Sequence, residues 1–141
     1  MPETTSDAVA KVAALADRRT PEIVRFLREM IAIPSESSQE RAVVERVRAE
    51  MERLGFDEIR IDGLGNVLGR VGSGPLVVAL DGHLDTVGIG GMIIEPFGGE
   101  IRDGKLWGRG ASDTKGPMAA MLWALHDHGV RRVLDLRDDA E

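Results

Sequence analysis

His83 and Asp85 stand two residues apart in Asp81-Gly-His-Leu-Asp85, immediately after the apolar run Leu76-Val-Val-Ala-Leu80. In an extended chain the side chains of residues two apart share a face, so an imidazole and a carboxylate would point one way and Leu84 the other. A histidine that holds a metal usually donates its second ring N–H to a carboxylate, which fixes the tautomer, and Asp85 suits that role. The plainer reading is a solvated loop in which both side chains bond only to backbone. Thirty positions after His83 comes Asp113, inside Gly108-Arg-Gly-Ala-Ser-Asp-Thr-Lys-Gly116, where glycines allow close backbone approach. A carboxylate just ahead of a helix is equally what an N-cap looks like. Taken singly, neither segment decides.

The elements that would position these residues follow from periodicity. Ala8 to Ala16 is helix-forming, and Thr20 with Pro21 supplies an N-cap and an N1 proline for a second helix whose apolar face is Ile23, Phe26, Leu27, Met30 and Ile31. Pro34 stops it. Ser37 and Glu40 have capping-box spacing, which predicts a third helix to about Leu54 with Val43, Val44, Val47, Met51 and Leu54 inward and Gly55 just past its end. The period then changes to two. Ile59 and Ile61, then Val67 and Val71, predict two short strands joined through Gly63-Leu-Gly-Asn66. Leu76 to Leu80 reads as a strand covered on both faces in a parallel sheet, and ligands of open α/β sheets bind beyond the carboxyl ends of such strands. Asp103-Gly104 between Ile101 and Leu106 signals a hairpin. The pattern from Lys115 to Gly129 is helical, and Val130 to Leu136 is a further candidate strand. Alternating helices and strands give an α/β layered domain, a sheet holding Leu76 to Leu80 flanked by helices near 38–54 and 115–128.

Composition narrows the partners. The 141 residues carry 24 acidic and 18 basic side chains, a net charge of −6 that disfavours a nucleic-acid backbone. There is no cysteine, so thiolate nucleophiles and cysteine-held metals are excluded and any metal must sit on His, Asp or Glu. No apolar run approaches the roughly 20 residues that span a bilayer, and the polar start, Met1 to Asp7, lacks the features of a secretory signal. The expectation is a cytoplasmic protein with neither nucleic-acid nor membrane partner.

Together, Gly82-His-Leu-Asp-Thr-Val87 and Gly108-Arg-Gly-Ala-Ser-Asp-Thr-Lys-Gly116 closely resemble the metallopeptidase family of acetylornithine deacetylase, succinyl-diaminopimelate desuccinylase, aminoacylases and carboxypeptidase G. Phe26 to Ser35 is similar to that family's opening helix, so the resemblance runs from about Glu22 to Val130. Asp81 to Gly88, with glycine where many members have proline, is closer to a branch of hydrolases linked to selenium metabolism. The resemblance implies the amino-terminal part of a three-layer α/β/α zinc-exopeptidase catalytic domain. It implies that His83 binds one of two zinc ions, that Asp113 bridges both through a cis bond to Thr114, and that Asp85 is the catalytic carboxylate behind His83. Cobalt is the alternative metal. Paired metals about 3.5 to 4 Å apart polarise a carbonyl and activate water, so the implied reaction is hydrolysis of amide bonds in small peptides or N-acyl amino acids, by enzymes that are often homodimers.

The same resemblance defines what is missing. The family needs a Glu-Glu pair supplying a general base and a ligand, then another acidic ligand and a late histidine. Asp138-Asp139 lies only 25 residues after Asp113, too near for the usual helix and strand between. The expectation is therefore a first third of such a hydrolase: residues 1–141 without the rest of the catalytic domain or any lid or dimerisation domain, and inactive alone. The alternative function is a non-catalytic, metallopeptidase-like binding or regulatory module. Other signals carry less. Gly99 to Leu106 nearly spells a P-loop, but Leu106 stands where Ser or Thr is needed. His126 and His128 lie about 200° apart around a helix and suit its C-terminal dipole better than a shared metal. Trp107 and Trp123 read as core, and Arg131-Arg132 as a solvated helix exit.

Overall fold

The computed structural model describes residues 5–129, with side chains as far as Asp127. Val130 to Leu136, Arg131-Arg132, Asp138-Asp139 and the side chain of His128 lie outside the described residues. Three helices, α1 (Thr5–Ile31), α2 (Arg41–Arg53) and α3 (Lys115–Gly129), combine with two antiparallel hairpins, β1 (Glu58–Ile61) with β2 (Val67–Arg70) and β3 (Glu100–Arg102) with β4 (Lys105–Trp107). The fold is α/β, as the alternation of periods predicts.

The apolar faces read from spacing make the core. Phe26 and Met30 of α1, Val43 and Val47 of α2, and Ala119 and Leu122 of α3 are fully buried and pack as one cluster that Phe56 and Leu84 also join. Gly55 ends α2 with φ +74° in a Schellman arrangement: its N–H donates to the Glu52 carbonyl and that of Phe56 to the Met51 carbonyl. Phe56 is thereby turned into the core, and β1 starts two residues later. The β1–β2 turn is held by Asp62, whose carboxylate accepts from the backbone N–H groups of Leu64 and Asn66. Asp103 and Gly104 both have positive φ, +54° and +71°, as a two-residue type I′ turn requires.

Three expectations are corrected. The helices read separately around Thr20-Pro21 are one continuous helix with Pro21 inside it. Proline removes one N–H, and the carbonyl this orphans belongs to exposed Asp17, where water can serve it, while the Thr20 hydroxyl donates to the Ala16 carbonyl. Ser37 and Glu40 do not form a capping box. Glu40 itself is the N-cap of α2, without a side-chain cap bond, and its carboxylate accepts instead from the Ser38 N–H. Leu76 to Leu80 is not a buried strand: it has no strand partner among the described residues, and Leu76, Val77, Val78 and Leu80 are 53 to 84% exposed. It forms one side of an open groove of about 940 Å³ whose floor includes Val44, Met51, Phe56 and Leu125. An apolar run of this kind indicates two covered faces, and among the described residues nothing covers the second.

Two buried charges tie the helices together. Glu50, 1% exposed on α2, accepts from Arg25 of α1 and from Arg46 and Arg53 of its own helix; burial works to raise its carboxyl, but these guanidiniums hold it below the usual range. Lys115, at the start of α3, is equally buried, and its ammonium donates to the carbonyls of Met30 and Ile33, each at 2.8 Å. The Met30 carbonyl lies in the last turn of α1 and the Ile33 carbonyl two residues past its end, where helical partners run out. Burial lowers the Lys115 pKa to about 8.

Lys115→Met leaves the Ile33 carbonyl without its donor and the Met30 carbonyl with the Ile33 N–H alone, partly offset by no longer burying an ammonium, and should cost about 2 kcal/mol in chemical denaturation. The pH dependence has a definite sign. The unfolded chain keeps the lysine proton to about 10.5 and the folded chain only to about 8, so the folded form binds fewer protons between those values and its stability should rise across that window. Lys115→Met should abolish that rise; a variant that kept it would contradict the assignment.

Candidate functional site

Strand-like alternation after residue 80 does what its period requires. Leu84 enters the core, while His83 and Asp85 face outward together. The segment is fixed from one side by the chain leaving α1. Ser35, buried, donates its hydroxyl to the Leu84 carbonyl, the Thr86 N–H donates to the Ser35 carbonyl, and Glu36 and Thr86 form a parallel bridge. The glycine-rich segment is fixed from the other side: the Lys115 N–H donates to the Gly110 carbonyl, and a side chain at position 116 would run into the Ala111 carbonyl, so glycine is required there. The Asp113–Thr114 peptide is cis, as the family resemblance implies.

These constraints bring the three sequence-predicted residues into one row. His83 Nδ1 lies 2.9 Å from Asp85 Oδ1 and 3.1 Å from the Asp85 carbonyl, and its Nε2 lies 3.1 Å from Asp113 Oδ1. A residue that spacing had assigned elsewhere extends the row: the Ser37 hydroxyl donates to Asp85 Oδ2 at 2.6 Å. Only the mistaken capping-box spacing singles out Ser37 in the sequence. Asp113 is not an N-cap; its carboxylate, 87% exposed, turns to the imidazole. The row opens on a cavity of about 270 Å³, which Arg109 and Ser112 also line.

Charge follows geometry. Desolvation works against an imidazolium at His83, but the Asp85 carbonyl and the carboxylates of Asp113 and Asp85 outweigh it and raise the pKa above the usual 6.5. The Ser37 hydroxyl, and after it the His83 ring, hold the Asp85 carboxyl below its usual range. One imidazole nitrogen and one carboxylate oxygen at 3.1 Å suit a zinc ion, whose bonds of roughly 2 Å to each would set them roughly 3.3 Å apart. They are only two donors. Among the described residues no group of three or more His, Asp or Glu side chains gathers to hold a metal. Trp123 lies in the core as expected, beneath the guanidiniums of Arg19 and Arg53, and His126 reaches the Leu54 carbonyl rather than a metal partner. No helix among the described residues is long and apolar enough to cross a membrane.

Comparison with known proteins gives a consistent set of relatives. Residues 79–135, which contain both motifs, match the model of peptidase family M20/M25/M40. The chain is 51% identical over 106 residues to the uncharacterised protein YgeY of Escherichia coli, covering 73% of this chain and 26% of that protein. It is 40% identical to a LysW-lysine hydrolase of Deinococcus radiodurans over 71% of this chain and 26% of the relative, and 34% identical to a succinyl-diaminopimelate desuccinylase of Rhodospirillum centenum over 74% and 30%. The chain thus spans between a quarter and a third of the length of these relatives.

The row of hydrogen bonds sets an expectation for the metal-free chain. Followed by nuclear magnetic resonance, His83 should lose its ring proton above pH 6.5, and Asp85→Asn or Asp113→Asn should each move that loss to lower pH. A wild-type pKa at or below the ordinary value would show that the carboxylates do not hold the ring in solution.

Proposed function

The chain belongs to peptidase family M20/M25/M40, and from that premise we propose that it forms the amino-terminal part of the catalytic domain of a metal-dependent amide hydrolase, a peptidase or N-acyl amino acid deacylase. The observation that carries this reading is the placement of His83 between Asp85 and Asp113 at the mouth of a cavity. His83 Nε2 and Asp113 would hold the metal, zinc or alternatively cobalt. A bound ion would polarise the scissile carbonyl and lower the pKa of its water. The chain's own contribution is orientation: Asp85 accepts the hydrogen bond of Nδ1–H, which keeps that proton on Nδ1 and leaves the Nε2 lone pair on the side of Asp113. Asp113 Oδ2 has no protein partner among the described residues, so the same carboxylate can reach a second ion. The names of the desuccinylase and the lysine hydrolase among the relatives support a small acylated amino compound as substrate.

The donor count separates metal binding from turnover. With two donors and no general base beside them among the described residues, the 141 residues alone should bind zinc weakly and not hydrolyse amides; a complete site needs further acidic ligands and a base. Calorimetric zinc titration of the purified chain, paired with assays on N-acetyl and N-succinyl amino acids, tests this. Weak binding that disappears in His83→Ala, falls about 10 to 100-fold in Asp85→Ala and is unaccompanied by turnover is the expected result. Two tightly held zinc ions with His83-dependent turnover would overturn the need for further ligands. Binding indifferent to His83→Ala would overturn the site itself.

A further inference from the structure

We propose that Ser37 is a positioning residue for the His83 imidazole, acting through Asp85; the inference rests on the metal-site reading above and adds a residue to it. The Asp85 carboxylate has both oxygens engaged, Oδ2 by the Ser37 hydroxyl at 2.6 Å and Oδ1 by His83 Nδ1 at 2.9 Å. A carboxylate bound at one oxygen only could turn about its χ angles; bound at both, it presents a fixed acceptor to the ring. Ser37 is placed by the parallel pairing of 35–36 with 84–86, not by α2, whose N-cap is Glu40. It is also exposed, unlike Ser35, so its hydroxyl satisfies no buried group and contributes little to the core.

The consequence is tautomeric. Without a metal, Asp85 and Asp113 compete for the single N–H of the neutral ring. Asp85 offers a carboxylate oxygen and a carbonyl to Nδ1, whereas Asp113 offers one oxygen of a largely exposed carboxylate to Nε2. With Ser37 holding Asp85, the proton stays on Nδ1 and the Nε2 lone pair is left for a ligand bond. Removing the hydroxyl loosens Asp85 and lets the proton move towards Nε2, where it blocks coordination.

The test uses the 141-residue chain and its Ser37→Ala and Ser37→Thr variants. In the metal-free protein at alkaline pH, where the ring is neutral, ring-nitrogen resonances should show His83 mainly protonated at Nδ1 in the wild type and in Ser37→Thr, and a larger Nε2–H share in Ser37→Ala. Zinc affinity should fall about 5-fold in Ser37→Ala, less than for loss of Asp85 itself because the serine acts one bond further out. In an Asp85→Ala background, Ser37→Ala should change nothing further, since the two residues act in series. An unchanged imidazole signal in Ser37→Ala, or an affinity loss of equal size with and without Asp85, would overturn the proposal. A wild-type chain that takes up no zinc would refute the metal reading alone, because the nitrogen resonances still decide the role of Ser37.

Discussion

A buried ammonium organises the half of the molecule that carries the chemistry. Lys115 reaches from the first turn of α3 to the Met30 carbonyl at the end of α1 and the Ile33 carbonyl just beyond it, and its own backbone N–H closes back on Gly110. The chain between Met30 and Ser37 is thereby held against the glycine-rich segment, and the same chain pairs with residues 84–86. Three segments distant in sequence are fixed relative to one another by one ammonium on two carbonyls, the Ser35 hydroxyl on the Leu84 carbonyl and the backbone pairing of Ser35 and Glu36 with Thr86. The imidazole and carboxylate they carry meet 3.1 Å apart although 30 residues separate them in sequence.

Glu50 shows a different solution to the same difficulty. A carboxylate removed from water must be compensated nearby, and α2 does so with arginines at 46 and 53 on adjacent turns and one borrowed from α1. The Arg46 guanidinium also lies over the Phe26 ring, 4.7 Å from its centroid, so the polar network closes over the apolar cluster. Lys115 has no carboxylate partner among the described residues and relies on the Met30 and Ile33 carbonyls where α1 ends. The first arrangement sets how α1 and α2 cross, the second how α1 meets the site.

What was legible in the sequence was what local chemistry decides. The inward face of α2, the glycine after it, the Asp103-Gly104 turn and the outward placement of His83 and Asp85 with Leu84 inward each depend on a few neighbouring residues, and each agrees with the structure. What spacing could not supply was long-range. Pro21 looks like a helix start because nothing local reveals that exposed Asp17 tolerates the missing bond. Ser37 looks like a cap because its true acceptor is 48 residues away. Nothing around Lys115 announces that its side chain crosses to α1. The meeting of His83 with Asp113 was legible only because two separate motifs resemble one family in the same order; neither motif alone distinguishes a metal ligand from a loop or a cap.

The open course of Leu76 to Leu80 bears on how the chain behaves in concentrated solution. Extended backbone with aliphatic side chains in water, and no neighbour among the described residues to take its N–H and C=O groups, is a template for intermolecular strand addition. Five consecutive residues without charge meet the usual requirements for such pairing, high β-propensity and strong hydrophobicity. The flanks counteract it: Pro75 cannot donate at one end, and the Asp81 carboxylate at the other would oppose a second copy stacked in register. The net charge of −6 adds a longer-range repulsion between copies, which dissolved salt screens.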